Sequence, residues 1–224
     1  MFSSTHSALG ESSPPLRDLA VQRAISRRAD EASVAVEAIL AAGRQIIERD
    51  GVLDINVREL LSSAGVSNRA FYRYFPSKDA VIAALAEELY SNLIVSLAAA
   101  VAGCDEPTAQ LEAWIDEVMV RAHDPAMASR GRVFVAHDSR LREEHRDLYR
   151  AVGRALTSQV SMIIDGGRAS GVFASHVGVA EARLVTRLVM ATLQHHVLSR
   201  STPTAAERSN LLSFVFAALG HHSS

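Results

Sequence analysis

The chain holds a single cysteine, Cys104, which excludes an intramolecular disulfide and any metal site built from several thiolates. Lysine is equally scarce: 22 of the 23 basic side chains are arginine, and Lys78 is the exception. Against 25 acidic residues the formal net charge is −2, so any affinity for nucleic acid must come from local charge placement and not from a globally basic surface. Long apolar runs are missing. The longest, Leu93–Ala102, is interrupted by Ser96 and is too short for a bilayer, so no membrane span is expected. The first residues lack the charged-then-apolar layout of a signal peptide, and a cytoplasmic location is expected. There is no nucleophile motif, phosphate loop or dinucleotide fingerprint, so neither an enzyme activity nor a cofactor is expected. Nine histidines do not alter this, because no His-x3-His or Glu-x-x-His spacing falls within one helix, and no metal site is expected.

What is present is an ordinary globular composition, 48% hydrophobic and 21% charged, over 224 residues, enough for a small domain and a larger one. Residues 1–30 open with Ser, Thr, Gly and Pro-Pro and read as a flexible extension, although Leu16 to Ala29 has helical propensity and carries four arginines. Ala35, Ile39, Ala42 and Ile46 then fall at helical spacing, with a stop at Asp50-Gly51. Beyond Lys78 no strand alternation persists. Amphipathic helices are expected near Lys78–Ala102, Pro107–His123, Ala126–His137, Arg140–Arg168, Gly178–Ser199 and Thr204–Leu219, giving an all-α fold of about nine helices.

The segment Asn56–Lys78 concentrates the local signals. Asn56 is a good N-cap for a helix with Val57, Leu60, Leu61 and Ala64 inside; Ala64-Gly65-Val66-Ser67 then supplies a turn glycine, an apolar plug and a second N-cap. This is the order of a helix-turn-helix. At 100° per residue the next helix puts Phe71, Tyr74 and Phe75 on one arc, and Asn68, Arg69, Tyr72 and Arg73 on the other. The second arc suits a major groove, where arginine reads guanine and asparagine reads adenine. Arg58, Arg69, Arg73 and Lys78 stand against Glu59 alone, a local charge of +3. Pro76-Ser77 caps a further helix and leaves Lys78 in its first turn, where the dipole disfavours a cation; a DNA phosphate is the expected compensation.

Across Ala35 to about Leu85 these motifs, with Val57-Arg58-Glu59-Leu60 and Phe71-Tyr72-x-Tyr74-Phe75-x-x-Lys78, resemble the DNA-binding domain of the TetR family of bacterial transcriptional repressors. The resemblance implies a helix-turn-helix domain over 31–78 and a helical effector-binding and dimerisation domain over 79–224. It implies base or phosphate contact by Arg58, base-facing positions at Asn68, Arg69 and Ala70, and phosphate contacts by Tyr72, Tyr74 and Lys78. Leu61 and Ala70 depart from the family pattern, which usually has alanine and often threonine there.

The resemblance also implies a homodimer through the last two helices and a small-molecule pocket among the middle ones. Val177–Leu198 is apolar on several faces, and Leu211, Leu212, Phe214, Val215, Phe216 and Leu219 add a second apolar helix, as a four-helix dimer bundle requires. Trp114, Met119, Phe134, His137 and Met162 are the candidate lining of a pocket for a largely apolar effector. The expected function is a ligand-responsive repressor that binds a palindromic operator and is released by a small molecule. The alternative is an all-α small-molecule-binding protein or enzyme with a vestigial helix-turn-helix.

Overall fold

The computed structural model describes residues 16–221. The first half of the expected flexible extension, residues 1–15, lies outside the described residues. Among the described residues there are ten helices: α1 (Leu16–Asp50), α2 (Val57–Ala64), α3 (Asn68–Tyr74), α4 (Lys78–Ala102), α5 (Pro107–His123), α6 (Pro125–Ala136), α7 (Asp138–Glu144), α8 (Arg146–Ala169), α9 (Val179–Ser199) and α10 (Ala205–Ala218). There is no strand among the described residues.

α1 runs unbroken through residue 30, so no element boundary marks the expected end of the extension. Its packed part begins where the periodicity does, with Ile39, Ala42 and Ile46 buried, and it ends at Gly51 in the left-handed conformation. α2 and α3 fold against this end of α1, closing a small head around Leu53, Ile55, Leu60, Phe71 and Phe75. Each such side chain contributes roughly 1.5–3 kcal/mol of burial.

α4 leaves the head and becomes the spine of the larger region, packed against α1, α5 and α8. By length and composition it is apolar enough to cross a bilayer, which the count of uninterrupted apolar residues missed. Its Val81, Ile82, Leu85, Leu93 and Leu97 are instead buried against neighbouring helices. α9 lies across α5, α6 and α8, and α10 closes the end. Arg208 of α10 forks onto both carboxylate oxygens of Asp116 on α5 at 2.5 Å.

The helix expected over Arg140–Arg168 is two helices. His145, at φ −123° and ψ 47°, leaves the helical region and separates α7 from α8, although no glycine or proline stands there.

Candidate nucleic-acid interface and interior cavities

The head is built from caps outward. Asn56 Oδ1 accepts the backbone N–H groups of Arg58 at 2.9 Å and Glu59 at 3.4 Å, which starts α2. Gly65 ends it at φ +64°, a conformation costly for a residue with a Cβ, and the Val66 N–H returns to the Leu61 carbonyl at 3.2 Å. Two residues later Ser67 Oγ accepts the Ala70 N–H at 3.2 Å and starts α3. The whole turn is therefore fixed by local hydrogen bonds.

α3 divides as its periodicity requires. Phe71 is fully buried and Phe75 nearly so, with Tyr74 half-buried between them; Asn68, Arg69, Tyr72 and Arg73 are exposed. The Tyr72 ring stands edge-on to Phe71 at 5.1 Å while the residue stays 53% exposed, so the core orients a phenol that points outward. Ala70 is half-buried on the same helix and Arg58 is exposed on α2. Arg49 pairs with Glu59 at 2.6 Å, and among the described residues Arg58, Arg69 and Arg73 take part in no ion pair. The head thus presents unpaired guanidinium groups at its exposed surface.

Lys78 differs from expectation. Its ammonium is paired with Asp54 on the α1–α2 connection at 2.5 Å, so the first-turn cation already has an internal counter-charge. That hydrogen bond holds the Asp54 carboxyl below the usual carboxylate range. A contact 24 residues back in sequence thus supplies a counter-charge for this first-turn cation from within the chain.

The expected pocket residues do not converge on one space. Trp114 is fully buried, its Nε1–H donating to Gln159 Oε1 at 3.0 Å while Gln159 Nε2 donates to the Ile94 carbonyl, and Met119 is buried in the same core. His137 Nδ1 lies 2.8 Å from the Val133 carbonyl, a helix-end contact. Met162 is 64% exposed on the outer side of α8, because the buried stripe of that helix runs through Val160, Ile163 and Ile164. Of the five, Phe134 lines two of the cavities described below, and the other four line none of those three.

One of the spaces is a groove of about 660 Å³ between α8 and α9, floored by Tyr90 of α4. Its walls are Tyr149, Val152, Leu156 and Met190, and its rim carries Arg142, Arg150, Arg154, Arg183 and Arg187. A second, apolar cavity of about 220 Å³ lies between α4, α6 and α9, with Leu89, Leu93, Phe134 and Val135 in its wall. Tyr90, Met190 and Gln194 line both spaces and form the partition between them. A small crevice of about 70 Å³ follows, where Phe134, Leu89 and Arg130 meet Arg44, Ile47 and Glu48 of α1. At that junction Arg130 of α6 pairs with Glu48 at 2.8 Å, and Arg44 forks onto Glu88 of α4 at 2.8 and 2.9 Å. Beside them Gly43 approaches α4 so closely that a Cβ would sit 3.2 Å from Leu85 and 3.3 Å from Val81. Sequence periodicity marks Tyr90 and Met190 only as apolar helix positions, which is why neither was singled out.

Residues 39–85 match the family model described as bacterial regulatory proteins, tetR family. The HTH-type transcriptional regulator EthR of Mycobacterium tuberculosis is 38% identical over 60 residues, covering 27% of this chain and 28% of EthR, so the likeness spans little more than a quarter of that relative's length. Among solved structures, a TetR transcription regulator from Haloarcula marismortui has a TM-score of 0.67 at 18% identity, covering 84% of this chain and 97% of that one. FadR from Bacillus subtilis, in complex with stearoyl-CoA, has a TM-score of 0.61 at 18% identity, with 80% and 96% covered. At such identities the likeness to the two structures is one of fold.

Proposed function

We propose that this chain, a transcriptional regulator of the TetR family by its head and its fold, binds a palindromic operator as a homodimer and is released from it by a small molecule. The observation that carries the DNA-binding part is the outer face of α3, where Asn68, Arg69, Tyr72 and Arg73 project from a closed apolar head whose turn is locked by its own caps. Asn68 and Arg69 read base edges, Ala70 meets a thymine methyl, and Arg58, Tyr72, Arg73, Tyr74 and Lys78 hold phosphates. Lys78 exchanges Asp54 for a phosphate on binding, a swap of one anion for another.

Dimerisation falls to α9 and α10. Leu184 and Leu198 of α9 and Phe214 of α10 are 63%, 49% and 65% exposed, and they are flanked by Ala180, Ala191, Ala217 and Ser213, small residues that allow helices to approach closely. A two-fold pairing there sets two α3 helices on one side of the molecule, about 34–36 Å apart when bound to successive major grooves.

The effector occupies the groove and its neighbouring cavity. Their position supports this reading, since Tyr90 lies twelve residues along α4 from Lys78, about 18 Å at the helical rise, and the crevice lined by Phe134 and Arg130 continues to α1. A ligand that fits one rotation of α4 better than another shifts the half-site spacing by its differential affinity and by nothing else. FadR, a transcriptional regulator that shares the fold, is solved in complex with stearoyl-CoA, which supports a small-molecule effector for this chain. The regulator works in the cytoplasm, where its operator is.

Selection of bound sequences from random DNA tests the reading. Recovery of an inverted repeat with half-sites about one turn apart is expected; recovery of unrelated or single-site sequences contradicts it.

A further inference from the structure

The rim of the α8–α9 groove has an unusual charge balance. Five of its lining side chains are arginines and none is aspartate or glutamate. Arg142 is held by Asp138 and Arg150 lies 3.5 Å from Asp147, but among the described residues Arg154, Arg183 and Arg187 have no acidic partner. They come from facing helices, one from α8 and two from α9, so their guanidinium groups border one opening. In a chain with a net charge of −2, three unpaired cations around a concave site form a local focus for anions.

A second observation lies deeper. Tyr149 is only 6% exposed and lines the groove, and the one group its hydroxyl approaches is the Tyr90 hydroxyl, with no contact of full hydrogen-bond geometry among the described residues. A buried phenol whose only neighbouring acceptor is another phenol at poor geometry is a donor that a better-placed acceptor atom can take over. Burial keeps this phenol protonated far above neutral pH, so it offers a donor. Between the rim and the phenol the walls are apolar: Val152, Leu156, Met190 and the Tyr90 ring, edge-on to Tyr149 at 5.5 Å.

We propose that the groove binds an organic anion, with a carboxylate or phosphate held by Arg154, Arg183 and Arg187, an apolar body along Leu156 and Met190, and an acceptor atom that takes the Tyr149 hydroxyl. Arginine forks match the paired oxygens of either anion, and a neutral molecule of the same shape would leave the rim unused. This replaces the largely apolar effector expected from sequence with a charged amphiphile, and it rests on the reading of the groove as the effector site.

The experiment is calorimetric titration of the full-length protein with decanoate and 4-phenylbutyrate, each beside its alcohol, its ammonium analogue and its phosphate ester. At least one acid or phosphate should bind at least tenfold more tightly than its alcohol, with the preference between the two acyl bodies reporting shape and that between carboxylate and phosphate reporting the head group. Combined Arg154→Ala and Arg183→Ala substitution should abolish that tenfold preference, and Tyr149→Phe should weaken binding several-fold without lowering the melting temperature. Equal or tighter binding of the alcohols, binding of no acid or phosphate, or an anion preference that survives the double substitution would overturn the proposal. So would a double variant that becomes monomeric by sedimentation, since the rim would then serve the dimer. Operator release measured on the same samples separates the two readings: a neutral compound that binds the groove and releases DNA rejects the anion and keeps the effector site, whereas a bound anion without release keeps the anion and rejects the effector role.

Discussion

Both halves of the molecule carry arginines without acidic partners, but the surfaces beneath them differ. Under Arg69 and Arg73 the head is filled, with the Phe71 and Phe75 rings stacked at a centroid separation of 6.1 Å and no cavity of its own among those described. Under Arg154, Arg183 and Arg187 the interior is open and reaches Tyr90 on the spine helix. On the proposed reading, a cationic helix on a filled base fits into a groove of its partner, and a concave cationic rim admits one. The same side chain would then serve opposite uses, decided by packing.

The difference in packing gives the largest expected effect. Phe71→Ala removes a fully buried ring from the head and should cost about 3–5 kcal/mol, read by chemical denaturation, with loss of DNA binding. Met190→Ala, on the partition between two cavities, should cost less than about 2 kcal/mol because part of its surface already faces open space. Equal costs would erase the distinction between a filled and an open region.

The next effect concerns reading against holding. Arg69→Ala should weaken operator binding by about 1–3 kcal/mol and relax preference at one base pair. Lys78→Ala and Tyr72→Phe should weaken all sequences about equally, and Lys78→Ala should lower the slope of log affinity against log salt by about one. Fluorescence anisotropy across a salt series separates these patterns.

Smaller still is the junction. Arg130→Ala breaks the α6–α1 pair, whose members are 53% and 39% exposed, so stability should change by less than about 1 kcal/mol. Its consequence should appear instead as a smaller ligand-induced change in operator affinity, if α6 carries motion from the cavity to the head. The smallest is Asp54→Asn, which frees Lys78 for phosphate and should raise operator affinity a few-fold at low salt and not at high salt. The sign with pH follows from the depressed Asp54 carboxyl: the pair's contribution is present above the ordinary carboxylate range and is lost as pH falls through the lowered value.

The head was legible because its determinants are local. Asn56, Gly65, Ser67 and Ser77 each cap or turn the chain within three residues of themselves, and the spacing of Phe71 and Phe75 alone settles which face of α3 is buried. The internal partner of Lys78 was not legible for the opposite reason, since Asp54 reaches it only once α1 and α4 are packed. The break at His145 carries no glycine or proline and left no mark in the pattern. Trp114, Met119 and Met162 show the limit for cavities: large apolar residues signal that a helix packs, whereas a cavity is set by what neighbouring helices fail to fill. The arginines of the rim are 29 and 33 positions apart between α8 and α9 and meet only in the fold.

The division of labour is tested most directly by operator affinity without ligand, measured for Arg69→Ala and for the combined Arg154→Ala and Arg183→Ala variant. The first should lose at least about fivefold, the lower end of the range for one base contact, and the second should match the parent protein. A second variant that loses operator affinity as severely as the first would mean that the groove arginines serve DNA, and the assignment of one region to reading and the other to sensing would fall.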